Sequence, residues 1–272
     1  HVDTVPPYIG PRRTPEAVYG RGACDTKGGI VAMARAGRRL LERGYEDFGY
    51  LFVVGEEVDH VGAKEASKLD LAPRRIILCE PTRNRVVSAQ KGMLKLKLSA
   101  AGVAAHSAYP ERGDSALHHL LDGIEKLRAA SWPEHDLLGP TTLNVGRLEG
   151  GVAANVLAPS ARAQLLFRTV SDTEALLERV RAVLDRHGVG IDEAIYNDPV
   201  FFDPPDDVPS CTVSFNTDAT YLEPLGPIWL VGPGDIEHAH SDDEHISLES
   251  FSEGIDLYES LGERVLEKAP AK

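Results

Sequence analysis

The residues of this 272-residue chain that are able to do chemistry are acids and histidines, gathered in short clusters at the ends of predicted elements. His1-Val-Asp3 puts two polar side chains on one face of an extended segment. Asp25 lies in GRGACDTKGG, between a Gly-rich turn and a helix start. Glu56-Glu57 follow one apolar run, Glu80 follows the next, and His240 follows a GPG turn at 232–234. Such a mixture of His, Asp and Glu suits zinc or a similar divalent ion. Two His, two Glu and one bridging Asp would hold two ions, and three carboxylates against two dications leave room for a bridging hydroxide. Two adjacent glutamates can then divide the labour, one as a ligand and the other as general base on the activated water.

Plainer readings stand beside these. His60 and His187 read as ordinary surface or core histidines. His238 and His245 flank His240, and residue type alone does not choose among the three. The run Asp242-Asp243-Glu244 reads as a solvated acidic loop rather than as extra ligands. Cys24 beside Asp25 could be a thiol ligand. Cys24, Cys79 and Cys211 lie far apart without a CxxC pair, which argues for packing residues and against a disulfide framework. GRGACDTKGG lacks the glycine spacing before Lys-Ser/Thr that a phosphate loop needs.

The elements that must position these residues alternate in the first part of the chain. Thr26–Gly44 has the apolar spacing of an amphipathic helix. Tyr50–Val54 (YLFVV) and Arg75–Cys79 (RIILC) read as buried strands, with a helix between them near Ala63–Leu69. Strands separated by helices predict parallel α/β architecture, in which ligands gather at the carboxyl ends of strands. The middle differs. Leu94, Leu96 and Leu98 alternate with Lys95 and Lys97, as in a strand with one wet face. A helix near Asp114–Ala130, strands near Thr141–Leu148 and Ala161–Val170, a helix at Asp172–His187 capped by Asp172, and a strand near Val189–Tyr196 follow. That order is the ferredoxin-like β-α-β-β-α-β split. It predicts three segments: residues 1–91 and 199–272 forming one catalytic domain, and 92–198 forming a domain inserted into it. DPPDDVP at 203–209 marks the return crossing, followed by the strand-like PIWLV and a closing helix from Ser247 to about Lys268.

Composition narrows the classes. Hydrophobic residues make up 42% and charged residues 26%, a globular balance, and the net charge is −13. So acidic a chain is a poor partner for nucleic acid or an anionic membrane. No apolar run has the length of a membrane span. Free cysteines in an acidic chain fit cytoplasmic residence. The chain starts at His1 with no initiator Met and no signal-peptide pattern, and the absent N-terminus leaves a signal peptide open.

Seven segments, in order, carry a resemblance: HVDTVPP, YGRGACDTKGG, VVGEEVDHVGA, CEPT, AAHSAYPERG, GGVAANVLAP and GPGDIEHAHSDDEHI. With them the chain resembles the di-zinc metallopeptidase and deacylase family of aminoacylases, acetylornithine deacetylases, succinyl-diaminopimelate desuccinylases and glutamate carboxypeptidases. The resemblance implies an α/β zinc-peptidase-like catalytic domain with a mixed or parallel sheet, carrying an inserted ferredoxin-like dimerisation domain. It implies two Zn2+ per chain, with Co2+ or Mn2+ as alternatives. His1, Asp25 and Glu80 would hold one ion, and Asp25, Glu57 and His240 the other. Asp3 would orient His1, and Glu56 would be the general base. His106 resembles the histidine that reaches into a partner subunit's site and stabilises an oxyanion. Asn155 and Arg168, with Gly232 and Gly234, resemble substrate-binding residues, Arg168 on a free carboxylate. The plainer role of Arg168 is to pair with an acid.

The implied activity is hydrolysis of the amide bond of an N-acyl amino acid or small peptide by a homodimer. The segment from GPG to AHSDDE looks most like the acetylornithine deacetylase branch. Carboxypeptidase, dipeptidase and desuccinylase activities are alternatives within the family. A reading of another class is an inactive or truncated remnant serving dimerisation or binding. Family members carry several tens of residues before HVDTVPP, including a strand and a helix. His1 is therefore expected to be a ligand at a frayed chain end, beside an open sheet edge.

Overall fold

The computed structural model describes residues 1–266. The chain divides into two compact units, one formed by His1–Ser88, Phe201–Val213 and the residues from Thr217 on, the other by Ala89–Val200 with Ser214–Asn216. Its α-helices are α1 (Gly28–Glu42), α2 (Val61–Ala66), α3 (Ala116–Ala129), α4 (Thr173–Asp185), α5 (Ala219–Leu222) and α6 (Leu248–Leu266).

The second unit is built on β1 (Gly92–Ala101), β2 (Thr142–Gly150), β3 (Ser160–Thr169) and β4 (Val189–Asn197), joined antiparallel in the order β4-β1-β3-β2. With α3 after β1 and α4 after β3, this is the β-α-β-β-α-β split the alternating leucines predict. The register sets Leu94 against Phe167, Leu96 against Leu165 and Leu98 against Ala163. These side chains are buried, and Leu120, Leu127, Leu176 and Leu184 cover them from α3 and α4. Burying one such leucine contributes roughly 1.5–3 kcal/mol. Asp172 caps α4, its carboxylate accepting the Ala175 N–H at 2.8 Å. At the sheet's edge, β2 is largely exposed.

In the first unit Ile76–Leu78 runs parallel to Ile228–Leu230. Ala32 and Ala36 of α1 share a core with Trp229, Val231 and the α6 residues Ile255, Tyr258 and Leu261. A second core joins Val53, Ala63, Ala66, Leu222 and Leu230. A small sheet pairs Ala17–Tyr19 with Arg12–Arg13 on one side and His245–Ser247 on the other. The pairs Ile76–Leu78 with Ile228–Leu230 and Ala17–Tyr19 with His245–Ser247 bring distant parts of the sequence together.

One expected element is corrected. Tyr50–Val54 is not a strand: Tyr50 is 48% and Phe52 58% exposed, and of the apolar run only Val53 is buried. Val53 C=O accepts the Val2 N–H at 3.0 Å. Among the described residues, Ile76–Leu78 is paired only with Ile228–Leu230, and both it and Tyr50–Val53 line a cavity of about 960 Å³. The run is apolar enough for a strand but has no ladder to join. Helix α2 starts two residues and ends three residues earlier than expected, and the expected end of α6 near Lys268 lies outside the described residues. No described helix is long and apolar enough to cross a membrane.

Leu96→Ala should lower the unfolding free energy by about 2–5 kcal/mol. Lys95→Ala, on the wet face of the same strand, should change it by less than about 0.5 kcal/mol. Urea denaturation of both variants checks the difference.

Candidate metal centre

Five loops of the first unit deliver the site. His1 and Asp3 sit on the extended segment tied down by Val2, and the Thr26 hydroxyl donates to His1 C=O at 3.2 Å. His1 is therefore 8% exposed rather than frayed. Asp25 occupies the turn before α1, buried with φ −116°. Glu56 and Glu57 stand on a turn in which Val58, Asp59 and His60 N–H groups all close on Gly55 C=O. Glu80 follows Ile76–Leu78 and is 4% exposed. His240 sits in a left-handed conformation, φ 61°, ahead of His245–Ser247.

These residues converge into two groups of three. His1, Asp25 and Glu80 offer ligand atoms within 4.8 Å of one another, and so do Asp25, Glu57 and His240. His1 Nε2 is 3.1 Å from Asp25 Oδ1 and 3.9 Å from Glu80 Oε1. His240 Nε2 is 3.1 Å from Asp25 Oδ2 and 3.0 Å from Glu57 Oε2. Asp25 thus turns one oxygen to each group. Asp3 meets His1 Nδ1 mainly through its main-chain oxygen at 3.2 Å, its carboxylate lying at 3.5 Å. Its Oδ2 accepts the Glu57 N–H at 3.3 Å, so Asp3 braces both groups.

Crowded acids leave an electrostatic signature. Burial raises Glu56 to about 7, with the charges of Asp218 and Asp25 adding to the shift while His1 and His60 oppose it. Burial and the neighbouring carboxylates of Glu56 and Asp25 push Glu80 well above the usual carboxylate range. Burial alone would lower His1, but the Asp25 hydrogen bond and the charges of Glu80 and Asp25 outweigh it and raise the imidazole to about 10. Hydrogen bonds that its imidazole donates to Asp25 and Glu57 raise His240 to about 10. Asp25 is lowered to about 2, because both imidazoles outweigh its burial. Protons on two imidazoles thus balance the site. Divalent ions fit in their stead: the donors are hard oxygens and imidazoles, and the buried Glu80 Oε1 has no hydrogen-bond partner.

The glycines of the GPG turn are close-contact positions. A Cβ on Gly232 would lie 2.7 Å from Glu80 C=O, and one on Gly234 (φ +94°) would lie 2.7 Å from Cys24 Sγ. His106, Asn155 and Arg168 lie on the second unit. His106 is exposed and accepts the Ala108 N–H at 3.1 Å, and the adjoining Ser107 N–H bonds to Asn155 C=O at 2.9 Å. Arg168, half-buried on β3, is in register with Met93 and Thr142.

Four residues escaped the sequence reading. His60 is buried, and its Nδ1 lies 2.9 Å from Asp218 of the turn before α5. The pair adjoins Glu56 closely enough for both charges to act on it. Glu244 is 1% exposed, not solvated, and pairs with Arg21 at 2.6 Å. Only Asp242 and Asp243 of that acidic run face solvent. The AHxxxE spacing after the GPG turn singles out Glu244 from Asp242 and Asp243, but the partner that buries it is 223 residues away.

Residues 88–192 match the peptidase dimerisation domain. A peptidase M20 domain-containing protein of Schizosaccharomyces pombe is 35% identical over 96% of this chain and 67% of its own length. A probable carboxypeptidase of Aspergillus terreus is 35% identical over 98% of this chain and 70% of its own. The chain belongs to the M20 peptidase family. M20 enzymes are metallopeptidases, generally zinc-dependent, that hydrolyse peptide bonds. The fold is shared with aminopeptidase PepT of Bacillus cereus (TM-score 0.73, 22% identity, 94% of this chain and 76% of that one). It is shared too with an M20 family metallo-carboxypeptidase of Sulfolobus solfataricus (TM-score 0.71, 16% identity, 94% and 78%).

The raised values set the pH dependence of the metal-free M20 chain. Glu56 moves from 4.5 unfolded to about 7 folded, and His1 from 6.5 to about 10. The folded chain keeps these protons after the unfolded chain has lost them, so stability falls as pH rises through both windows. His240, half exposed, adds less. Asp25, lowered from 3.8, acts only on the acid side. In chelator the thermal midpoint should drop between about pH 5 and about pH 9, and zinc should reverse that trend by displacing the protons. A chelated midpoint that climbs with pH would contradict the assignment.

Proposed function

We propose that this chain is a two-zinc peptidase that removes a C-terminal amino acid from a small peptide, as a carboxypeptidase or dipeptidase. The observation that carries this is the pair of three-residue groups sharing Asp25, with a fourth acid, Glu56, beside them near neutrality. His1, Asp25 and Glu80 would hold one ion and Asp25, Glu57 and His240 the other, with cobalt or manganese able to stand in for zinc. When bound, the ions supply Lewis acidity to the scissile carbonyl and make water a nucleophile at neutral pH. Glu56 accepts the proton of the attacking water and delivers it to the leaving amine nitrogen. A carboxylate titrating near 7 suits both halves of that transfer. Asp3 keeps His1 and Glu57 in place through the contacts above.

The carboxypeptidase reading takes its support from relatives: the probable carboxypeptidases of Aspergillus terreus and Aspergillus niger match over 98% and 99% of this chain. Arg168 would grip the substrate's free carboxylate through its planar fork, with Asn155 and the Gly232 and Gly234 turn completing the grip. His106 would stabilise the oxyanion in a partner subunit's site. The dimer this requires would form through the inserted unit, where β2 offers an exposed sheet edge. Deacylation of an N-acetylated basic amino acid is the second reading. It breaks the same bond type, and the segment from GPG to AHSDDE favours it. A remnant that only binds would have no need to bring His1, Asp25, Glu56, Glu57, Glu80 and His240 together.

Glu56→Gln should keep its metal and lose turnover by about 10²–10⁴-fold. Mass-spectrometric detection of amino acids freed from dipeptides, and of ornithine freed from N-acetylornithine, separates the two substrate readings. Turnover that survived Glu56→Gln would remove Glu56 as the base. Light scattering should give about twice the chain mass of 29.5 kDa.

A further inference from the structure

A buried ion pair that touches no reacting group ties together two of the proposed ligands from opposite ends of the chain. Arg21 and Glu244 have side chains 3% and 0% exposed, and Arg21 Nη1 lies 2.6 Å from Glu244 Oε2. The other oxygen of Glu244, Oε1, accepts two main-chain N–H groups, Cys24 and Asp25, each at 3.1 Å. The same Arg21 Nη1 donates onward to Ser241 C=O at 3.1 Å, one residue beyond His240. Gly20 N–H bonds to Glu244 C=O at 2.9 Å, and the adjoining strands set Tyr19 against His245 and Val18 against Ile246. Glu244 therefore fixes the backbone from which Asp25 projects, and Arg21 fixes the backbone from which His240 projects.

We propose that Arg21 and Glu244 are positioning residues for the ion held by Asp25, Glu57 and His240. The claim rests on the metal reading of the site. The two residues divide the task. Glu244 serves Asp25, which faces both ions, while Arg21 serves His240, which faces only one. Releasing Ser241 by Arg21→Met should loosen His240 and leave His1, Asp25 and Glu80 as they are. A buried pair has two separable effects, because an unpaired Glu244 charge also costs stability wherever it sits. Arg21→Met/Glu244→Gln removes that charge but keeps an amide oxygen for the Cys24 and Asp25 N–H groups.

The test is calorimetric titration of the chelator-treated full chain with Zn2+ alone, alongside thermal melts. Wild-type protein should take up two ions per chain. Arg21→Met should bind the first normally and the second at least about tenfold more weakly, the scale of loss on disturbing residues that orient ligands. Arg21→Met/Glu244→Gln should regain most of the thermal midpoint lost by Arg21→Met while its second ion stays weak. Normal binding of both ions by Arg21→Met would overturn the proposal. Equal weakening of both would also overturn it, as would recovery of the second ion together with the midpoint, since either result makes the pair a general stabiliser. Wild-type protein that bound no ion would instead overturn the metal reading beneath it.

Discussion

The carboxylate of Asp25 stands between two imidazoles from opposite ends of the chain, and much of the first unit is arranged to keep it there. Each of its oxygens serves a different histidine, so neither can turn away without breaking one side. Around it are Glu57 and Glu80, and the charges of Glu56, Asp25 and Asp218 all bear on the buried Glu80. Such a cluster holds together only if positive charge arrives, as protons on His1 and His240 or as metal ions. The loops that carry these residues are otherwise short and irregular. Their order comes from main-chain bonds such as Val2 to Val53 and the three N–H groups gathered on Gly55 C=O.

That constraint separates the two kinds of histidine in this chain. His1 and His240 owe their raised affinity for protons to carboxylates that also have metal-ligand geometry. His60 has one carboxylate, Asp218, and a tyrosine ring 5.0 Å away. His238 and His245 lie with their rings 4.0 Å apart and tilted by 38°, outside both three-residue groups. Position relative to several acids, not residue type, decides which histidine belongs to the site.

The legibility of the sequence follows the range of the interactions involved. The leucines of β1 and the cap at Asp172 work over two to four residues, so the alternation and the Asp announce them directly. The mixed α/β class and the split insertion were readable for that reason. Tyr50–Val54 was misread because apolar content signals what a strand needs, not whether a neighbouring strand is there to pair with it. Glu244 was misread for the complementary reason. Its neighbours Asp242 and Asp243 are solvated, and only the pairing of His245–Ser247 with Ala17–Tyr19 swings it onto Arg21. The convergence of His1, Asp25, Glu57, Glu80 and His240 was suggested by motif resemblance, whereas local periodicity would not have chosen His240 over His238.

The position of Glu56 shows how the same acids that endanger the cluster equip it. Glu57 next in sequence faces His240 and is held by it, while Glu56 gains no imidazole partner of its own. Burial, helped by the negative charge of Asp218 and Asp25, outweighs the opposing charges of His1 and His60 and lifts Glu56 toward neutrality. Adjacent side chains on one tight turn thus have different surroundings, Glu57 against His240 and Glu56 raised by its burial. Of the two, only Glu57 meets His240, and the turn that carries both is closed by three N–H groups on Gly55 C=O, with Gly55 itself at φ 81°.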